Sequence, residues 1–282
     1  MGQKGGQTGD YLAVDHLTKR YPPVRKSVTG IRDLLDTLKG GREEISALDD
    51  VSFEIKKGEW FGLLGPNGAG KTTFCDILLD VTTPSSARVL FEGVDVNKDH
   101  DKTKGKICAM EYWFFNTRVD LKDTLLLAGS EWKLDPGECE ERIEWIVDLL
   151  DLRSKLDEWP IRLSMGMQIK VYIAATLMSS AELLVFDEPT RFVDIFTRKK
   201  LYEHLKEFQK KTRTTIIWTT HNLHEAEETC DRIAVLNNHL VTVTTPRKLV
   251  EVMGKSNLEE AFIQLMEGEM QGDHTEDSNS EG

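Results

Sequence analysis

Between Trp60 and Asp80 the chain runs W-F-G-L-L, then G-P-N-G-A-G-K-T at Gly65 to Thr72, then a helical pattern. An apolar strand that enters a glycine-rich loop and leaves it through a lysine-led helix fits one local geometry, a strand, a phosphate cradle and a helix. Gly65, Gly68 and Gly70 let backbone N–H groups converge on phosphate oxygens, with Pro66, Asn67 and Ala69 completing the loop. The helix dipole there favours negative charge. Lys71 is placed to reach the β- and γ-phosphates of a nucleotide, and Thr72 to offer a hydroxyl to Mg²⁺, while Thr73 follows into the helix over Lys71 to Asp80.

A second constellation follows about a hundred residues later. The apolar run L-L-V-F ends in Asp187, Glu188 and Pro189. A carboxylate at the C-terminal edge of a parallel strand is where Mg²⁺ is held, and a neighbouring acid, pointing the other way, can polarise an attacking water. Upstream lies L-S-M-G-M-Q at Leu163 to Gln168. A serine and exposed N–H groups at a helix start make a second anion clamp, or a simple N-cap.

Leu12 to Tyr21 and Ala47 to Ile55 read as strands, separated by an insert at about 22–45. Within it Ile31, Leu34, Leu35 and Leu38 make an apolar stripe at helical spacing, for packing on its own domain or docking elsewhere. Glu138 to Leu150 and Gln168 to Ser179 carry helical periodicity, so a helical subdomain is expected at about 104–179. Leu183 to Phe186, Thr214 to Thr219 and Arg232 to Val243 are β-rich, with a charged helix over Thr197 to Lys210 between them. Alternating strands and helices imply a mostly parallel sheet covered by helices.

The net charge of -12 argues against broad contact with a nucleic-acid backbone. Six acidic residues and no Lys or Arg fall from Glu267 to Gly282, which reads as a solvated, disordered tail, and residues 1–10 read as a flexible start. The longest stretch free of charged residues, Ile233 to Pro246, is shorter than the roughly 18 residues that span a bilayer. No signal-peptide pattern opens the chain, and Gly6 stands where myristoylation wants Ser or Thr. Cys75, Cys108, Cys139 and Cys230 show no paired spacing, so a reducing compartment and no cysteine metal site are expected.

Loop, serine-glycine turn and paired acids, in that order over about Leu12 to Leu249, resemble an ATP-binding cassette of the ABC transporter family. The resemblance implies an α/β P-loop NTPase with a mostly parallel, helix-covered sheet, an N-terminal antiparallel β part and an inserted α-helical subdomain, spanning about 11–266 in this chain. It implies ATP and Mg²⁺ as ligands, a second nucleotide-binding subunit as partner, and membrane permease subunits that hold the cassette at the cytoplasmic face of the cell membrane. In such a dimer Ser164 and Gly166 would touch the γ-phosphate bound by the other subunit. By the same resemblance Tyr21 is similar to the aromatic that stacks on adenine, Asp194 to the aspartate that links the two sites, and His221 to the switch histidine at the γ-phosphate. A surface-turn tyrosine and a structural strand-end histidine are the plainer alternatives for two of these.

The pattern also departs from the family. No glutamine occurs between Gln7 and Gln168, where many cassettes carry one that senses Mg²⁺ and water, leaving Glu111 or Asn116 as substitutes. Tyr112 to Phe115 form an aromatic cluster beside that point, for burial or as a socket for a membrane subunit. Met165 and Met167 occupy the signature where glycine and glutamine are common, and Phe192 replaces a usual glycine. The insert, the S-x-G-M turn and S-N-L-E-E-A-F at Ser256 to Phe262 resemble exporter cassettes for drugs, lipids or polysaccharides. A soluble cassette ATPase, for example in iron-sulfur assembly, and a low-turnover regulatory subunit are the alternatives.

Overall fold

The computed structural model describes residues 11–22, 44–110, 119–191 and 193–277. In chain order the elements are β1 (Leu12–Tyr21), β2 (Ile45–Ile55), β3 (Trp60–Leu64), α1 (Lys71–Leu78), β4 (Ser86–Phe91), β5 (Val94–Asp95), α2 (His100–Thr103), β6 (Ile107–Ala109), α3 (Leu121–Glu131) and α4 (Pro136–Leu149). Then come α5 (Met165–Leu177), β7 (Leu183–Asp187), α6 (Ile195–Thr212), β8 (Thr215–Thr220), α7 (Leu223–Thr229), β9 (Arg232–Asn237), β10 (His239–Thr244), α8 (Pro246–Met253) and α9 (Leu258–Asp277).

A six-stranded sheet has the order β10-β9-β3-β8-β7-β6, with β9, β3, β8, β7 and β6 mutually parallel and β10 antiparallel at one edge. A four-stranded antiparallel sheet, β2-β1-β4-β5, packs beside it. Strands β3 and β7 are buried on both faces over almost all of their length, so they read as continuous apolar runs. Phe61, Leu63, Val185, Ile217 and Leu236 face the smaller sheet and α1, meeting Leu12, Leu17, Val89, Phe91 and Phe74. Trp60, Leu64, Leu184, Phe186 and Trp218, one residue out of phase, face α3 to α6. That two-residue alternation is the pleat of the strand expressed in two separate cores.

Trp218 is fully buried, with ring centroids of Trp60 and Phe186 each 5.4 Å away and Tyr202 at 6.0 Å. Burial of a side chain this size contributes roughly 3 kcal/mol. It fixes β8 just before Thr219 to His221, and so positions one wall of the site.

The long elements match their sequence signals to within a few residues, with Asp135 capping α4 ahead of Pro136, and Ser164 capping α5. Two boundaries differ. Residues Ile107–Ala109, expected inside the helical subdomain, pair with β7 as the edge of the parallel sheet, and the first described helix after them, α3, starts at Leu121. Helix α9 runs to Asp277, past the Glu267 at which a disordered tail was expected. Glu, Gln and Met favour helix, and Glu269 docks on His239 of β10 (Oε2 to Nε2, 3.0 Å), so the chain stays on the domain surface there. The insert stripe Ile31 to Leu38 lies outside the described residues.

Candidate functional site

The phosphate loop is closed by backbone contacts. Gly70 sits at φ 94°, in the left-handed region, and a Cβ there would lie 2.3 Å from the Ala47 carbonyl oxygen, so only glycine fits. Lys71 leads α1, is almost fully buried, and donates from Nζ to the carbonyls of Gly65 (2.8 Å) and Pro66 (3.0 Å). Burial lowers its pKa, while the charges of Glu188 and Asp187 pull the other way. The ammonium is thus held over the loop, facing the acids.

Opposite the loop, the two adjacent acids point apart. Asp187 Oδ2 accepts from Thr72 Oγ1 at 2.9 Å, and its Oδ1 accepts from the Thr219 hydroxyl. Glu188 adopts φ 47°, a strained value for this residue type, held by its N–H donating to Thr219 Oγ1 (3.0 Å) and to the Thr219 carbonyl (3.2 Å). That turn aims Glu188 Oε1 at His221 Nδ1, 3.1 Å away, with Arg191 Nη1 at 3.8 Å from Oε2. Asn67, Gly68, Lys71, Thr72, Asp187 and Glu188 line a cavity of about 520 Å³.

Among the described residues no cluster of three His, Cys, Asp or Glu side chains forms a metal cage. The Thr72 hydroxyl and the Asp187 carboxylate, two hard oxygens already converging, do suit Mg²⁺, which takes few protein ligands and completes its shell with phosphates and water.

Most of the remaining expected residues fall outside that cavity. Ser164 caps α5, accepting from the Met167 N–H at 3.4 Å, and is exposed, as is Met165 beside it. A Cβ on Gly166 would lie 3.8 Å from Thr197 Cγ2, so the starts of α5 and α6 adjoin. Asp194 caps α6 through the N–H groups of Phe196 (3.0 Å) and Thr197 (3.1 Å), and hydrogen bonds from Thr197 hold its carboxyl below the ordinary range. Tyr21 ends β1, with Lys19 Nζ 4.9 Å from its ring centroid. Ala69 is buried behind the loop, and Thr73 lines the cavity. Glu111, Tyr112 to Phe115, Asn116 and Phe192 lie outside the described residues.

Sequence reasoning missed Asn238, Thr219 and Glu225. The Asn238 amide donates to the carbonyls of Gly68 (3.0 Å), Ser46 (3.2 Å) and Ala47 (3.2 Å), clamping the loop from behind. The pair Asn237-Asn238 in a β-rich run was the available signal, since Asn tolerates the left-handed φ of 60° found there. Thr219 carries no such mark, because a threonine in a strand is ordinary.

A parallel sheet whose strand ends carry a phosphate loop and a paired-acid turn, beside an antiparallel sheet and a helical region, defines a P-loop ATPase of cassette type. Residues 48–191 match the ABC transporter family. The chain belongs to that family, as one of its ATP-hydrolysing cassettes. It is 31% identical over 236 residues to the Nod factor export ATP-binding protein I of Neorhizobium galegae, covering 83% of this chain and 68% of that protein. The linearmycin resistance ATP-binding protein LnrL of Bacillus subtilis is 31% identical over 224 residues, 76% of this chain and 71% of its own. ATP-binding cassette sub-family A member 17 of Mus musculus is 32% identical over 217 residues, only 12% of that much longer protein. Among solved structures, cbiO1 of Clostridium perfringens, part of an ABC transporter complex, superposes with a TM-score of 0.70 at 23% identity over 86% of this chain and 91% of that one. A dimeric post-hydrolysis cassette bound to ADP and Pi has a TM-score of 0.67 at 23% identity over 83% of this chain and 98% of that one. At that identity the likeness speaks for the fold.

Proposed function

We propose that the chain is the ATP-hydrolysing subunit of an exporter, acting on separate membrane subunits from the cytoplasmic face as one half of a head-to-tail dimer. The observation that carries the dimer is the split between the cavity and the signature turn. Lys71, Thr72, Asp187 and Glu188 line one cavity, whereas Ser164 and Gly166 stand outside it at an exposed helix start. Such a start binds anions, and a second subunit's ATP supplies the γ-phosphate it lacks. Export through separate membrane subunits is favoured by the Nod factor export relatives, and no helix among the described residues is long and apolar enough to cross a membrane.

In this reading the loop N–H groups and Lys71 bind the β- and γ-phosphates, and Tyr21 stacks on adenine. Thr72 and Asp187 would hold Mg²⁺, which when bound neutralises charge on the β- and γ-phosphate oxygens. Glu188 orients the attacking water and takes its proton as the new O–P bond forms and the β,γ-bridging bond breaks, releasing ADP and phosphate. His221, its Nδ1 3.1 Å from Glu188 Oε1, lies against that carboxylate and is the residue that would hydrogen-bond the γ-phosphate. The partner's serine clamp adds charge stabilisation, and Asp194, at the start of α6 beside Gly166, passes closure between sites.

Glu188→Gln tests this. It should bind Mg·ATP, lose turnover by at least about a hundredfold and run as a dimer with ATP by light scattering. A variant that stays monomeric on ATP while remaining folded would sink the sandwich, and one that keeps turnover would remove Glu188 as base.

A further inference from the structure

Glu225, on α7, is buried to 4% exposure and does not line the phosphate-loop cavity. Its Oε1 accepts from Thr190 Oγ1 and from Arg198 Nη1 (3.3 Å). Its Oε2 accepts from Thr220 Oγ1 (2.8 Å) and Trp218 Nε1 (3.4 Å). A carboxylate has about four acceptor sites, and here every one is used. A buried carboxylate needs one cation and a few donors, from anywhere, to be satisfied. These donors instead come from the segments that carry the chemistry. Thr190 is two residues past Glu188, Thr220 is one before His221, and Arg198 lies one turn into the helix that Asp194 caps.

We propose that Glu225 is a positioning residue that holds the turn after Glu188, the strand end before His221 and the first turn of α6 in one register. Its contact with Thr190 fixes where the Glu188 turn leaves β7, and its contact with Thr220 fixes the end of β8. The Glu188 to His221 separation of 3.1 Å follows from those two anchors together with Thr219. Movement of α6 through Arg198 reaches both catalytic groups by the same carboxylate. Asn222, which caps α7 by accepting from the Glu225 N–H at 3.4 Å, sets the helix that presents it.

This inference rests on Glu188 and His221 acting at the γ-phosphate, and the experiment separates the two claims. ATP turnover of the full chain is measured for Glu225→Gln, Glu225→Asp and Thr190→Val, normalised to folded protein by thermal melting. Glu225→Gln keeps shape but removes the charge that pairs with Arg198 and turns one acceptor into a donor, and kcat should fall about tenfold or more with KM for ATP within about threefold, since a small displacement of catalytic groups costs rate before binding. Glu225→Asp should recover part of the loss. Thr190→Val, which cuts a single surface of the network, should lower kcat severalfold with little change in melting. A purely structural Glu225 would lower the melting temperature and leave kcat per folded molecule within about twofold, and that result overturns the proposal. Should the Glu225 variants not fold, unchanged kcat in Thr190→Val overturns it equally. Retained turnover in Glu188→Gln, by contrast, removes the catalytic reading beneath it.

Discussion

Replacing Asn238 separates what the loop clamp contributes through hydrogen bonds from what it contributes through backbone conformation. The Asn238 side chain offers two N–H donors to the carbonyls of Gly68, Ser46 and Ala47, at 3.0, 3.2 and 3.2 Å. With two N–H groups shared among three carbonyls and a net worth of about 1 kcal/mol for each N–H satisfied, their loss costs about 2 kcal/mol. The residue holds φ 60°, and a left-handed alanine adds about 1–2 kcal/mol. Asn238→Ala should therefore destabilise by about 3–4 kcal/mol, and Asn238→Gly, which removes the bonds but not the conformational freedom, by about 2 kcal/mol. Urea unfolding followed by fluorescence of the buried Trp60 and Trp218 measures both. ATP affinity should fall with them, because the Gly68 carbonyl belongs to the phosphate cradle. Equal stabilities for the two variants refute the conformational part, and both lying within about 0.5 kcal/mol of the parent refutes the clamp altogether.

The loop glycines make a paired prediction. Gly70→Ala puts a Cβ 2.3 Å from a backbone oxygen at a left-handed φ and should cost more than about 3 kcal/mol. Gly68→Ala, with the same backbone sign but nothing within 4 Å of the Cβ, should cost only about 1–2 kcal/mol; similar losses in urea titration would mean that crowding is not the reason for Gly70. His204 on α6 is held below its ordinary pKa by burial. The unfolded chain then binds the proton more readily, so its contribution is complete above about pH 6.5 and is lost as the pH falls toward the lower folded value. Stability measured from pH 7.5 down to pH 5 should drop less in His204→Gln than in the parent, and parallel curves would exclude His204 as a source of acid sensitivity.

The parallel sheet was legible because burial on both faces leaves an unbroken apolar run, as in L-L-V-F before Asp187. Gly70, Lys71 and Thr72 were legible because the chemistry of the cradle admits few residue types. Strand β4 was not, since Ser86, Ala87 and Arg88 are exposed and only Val89 and Phe91 turn inward, too short an alternation to read. Edge strand β6 spans Ile107–Ala109, and its pairing with β7 depends on residues far away in sequence. Thr219, Glu225 and Asn238 escaped for a shared reason. Their importance comes from what they touch across the fold, and the sequence places Glu225 four residues past His221 without indicating that it also reaches Thr190.

The two walls of the cavity are held by different kinds of force. The phosphate loop is pinned by backbone, through the Asn238 clamp, the Gly70 fit against Ala47 and the carbonyls that grip Lys71. The wall of Asp187, Glu188 and His221 shares the β7 and β8 backbone and rests in addition on hydroxyl to carboxylate bonds, from Thr72 and Thr219 to Asp187 and from Thr190 and Thr220 to Glu225, each able to swing by one side-chain rotation. Such bonds are individually worth about 1–3 kcal/mol when one partner is charged, small enough for a bound nucleotide or a docked subunit to rearrange. Under the proposed function, the loop wall would hold the nucleotide and the wall of Glu188 would be the one that a docked subunit rearranges. That division predicts where control enters: substitutions behind the loop should change affinity and stability together, and those in the Glu225 network should change turnover first.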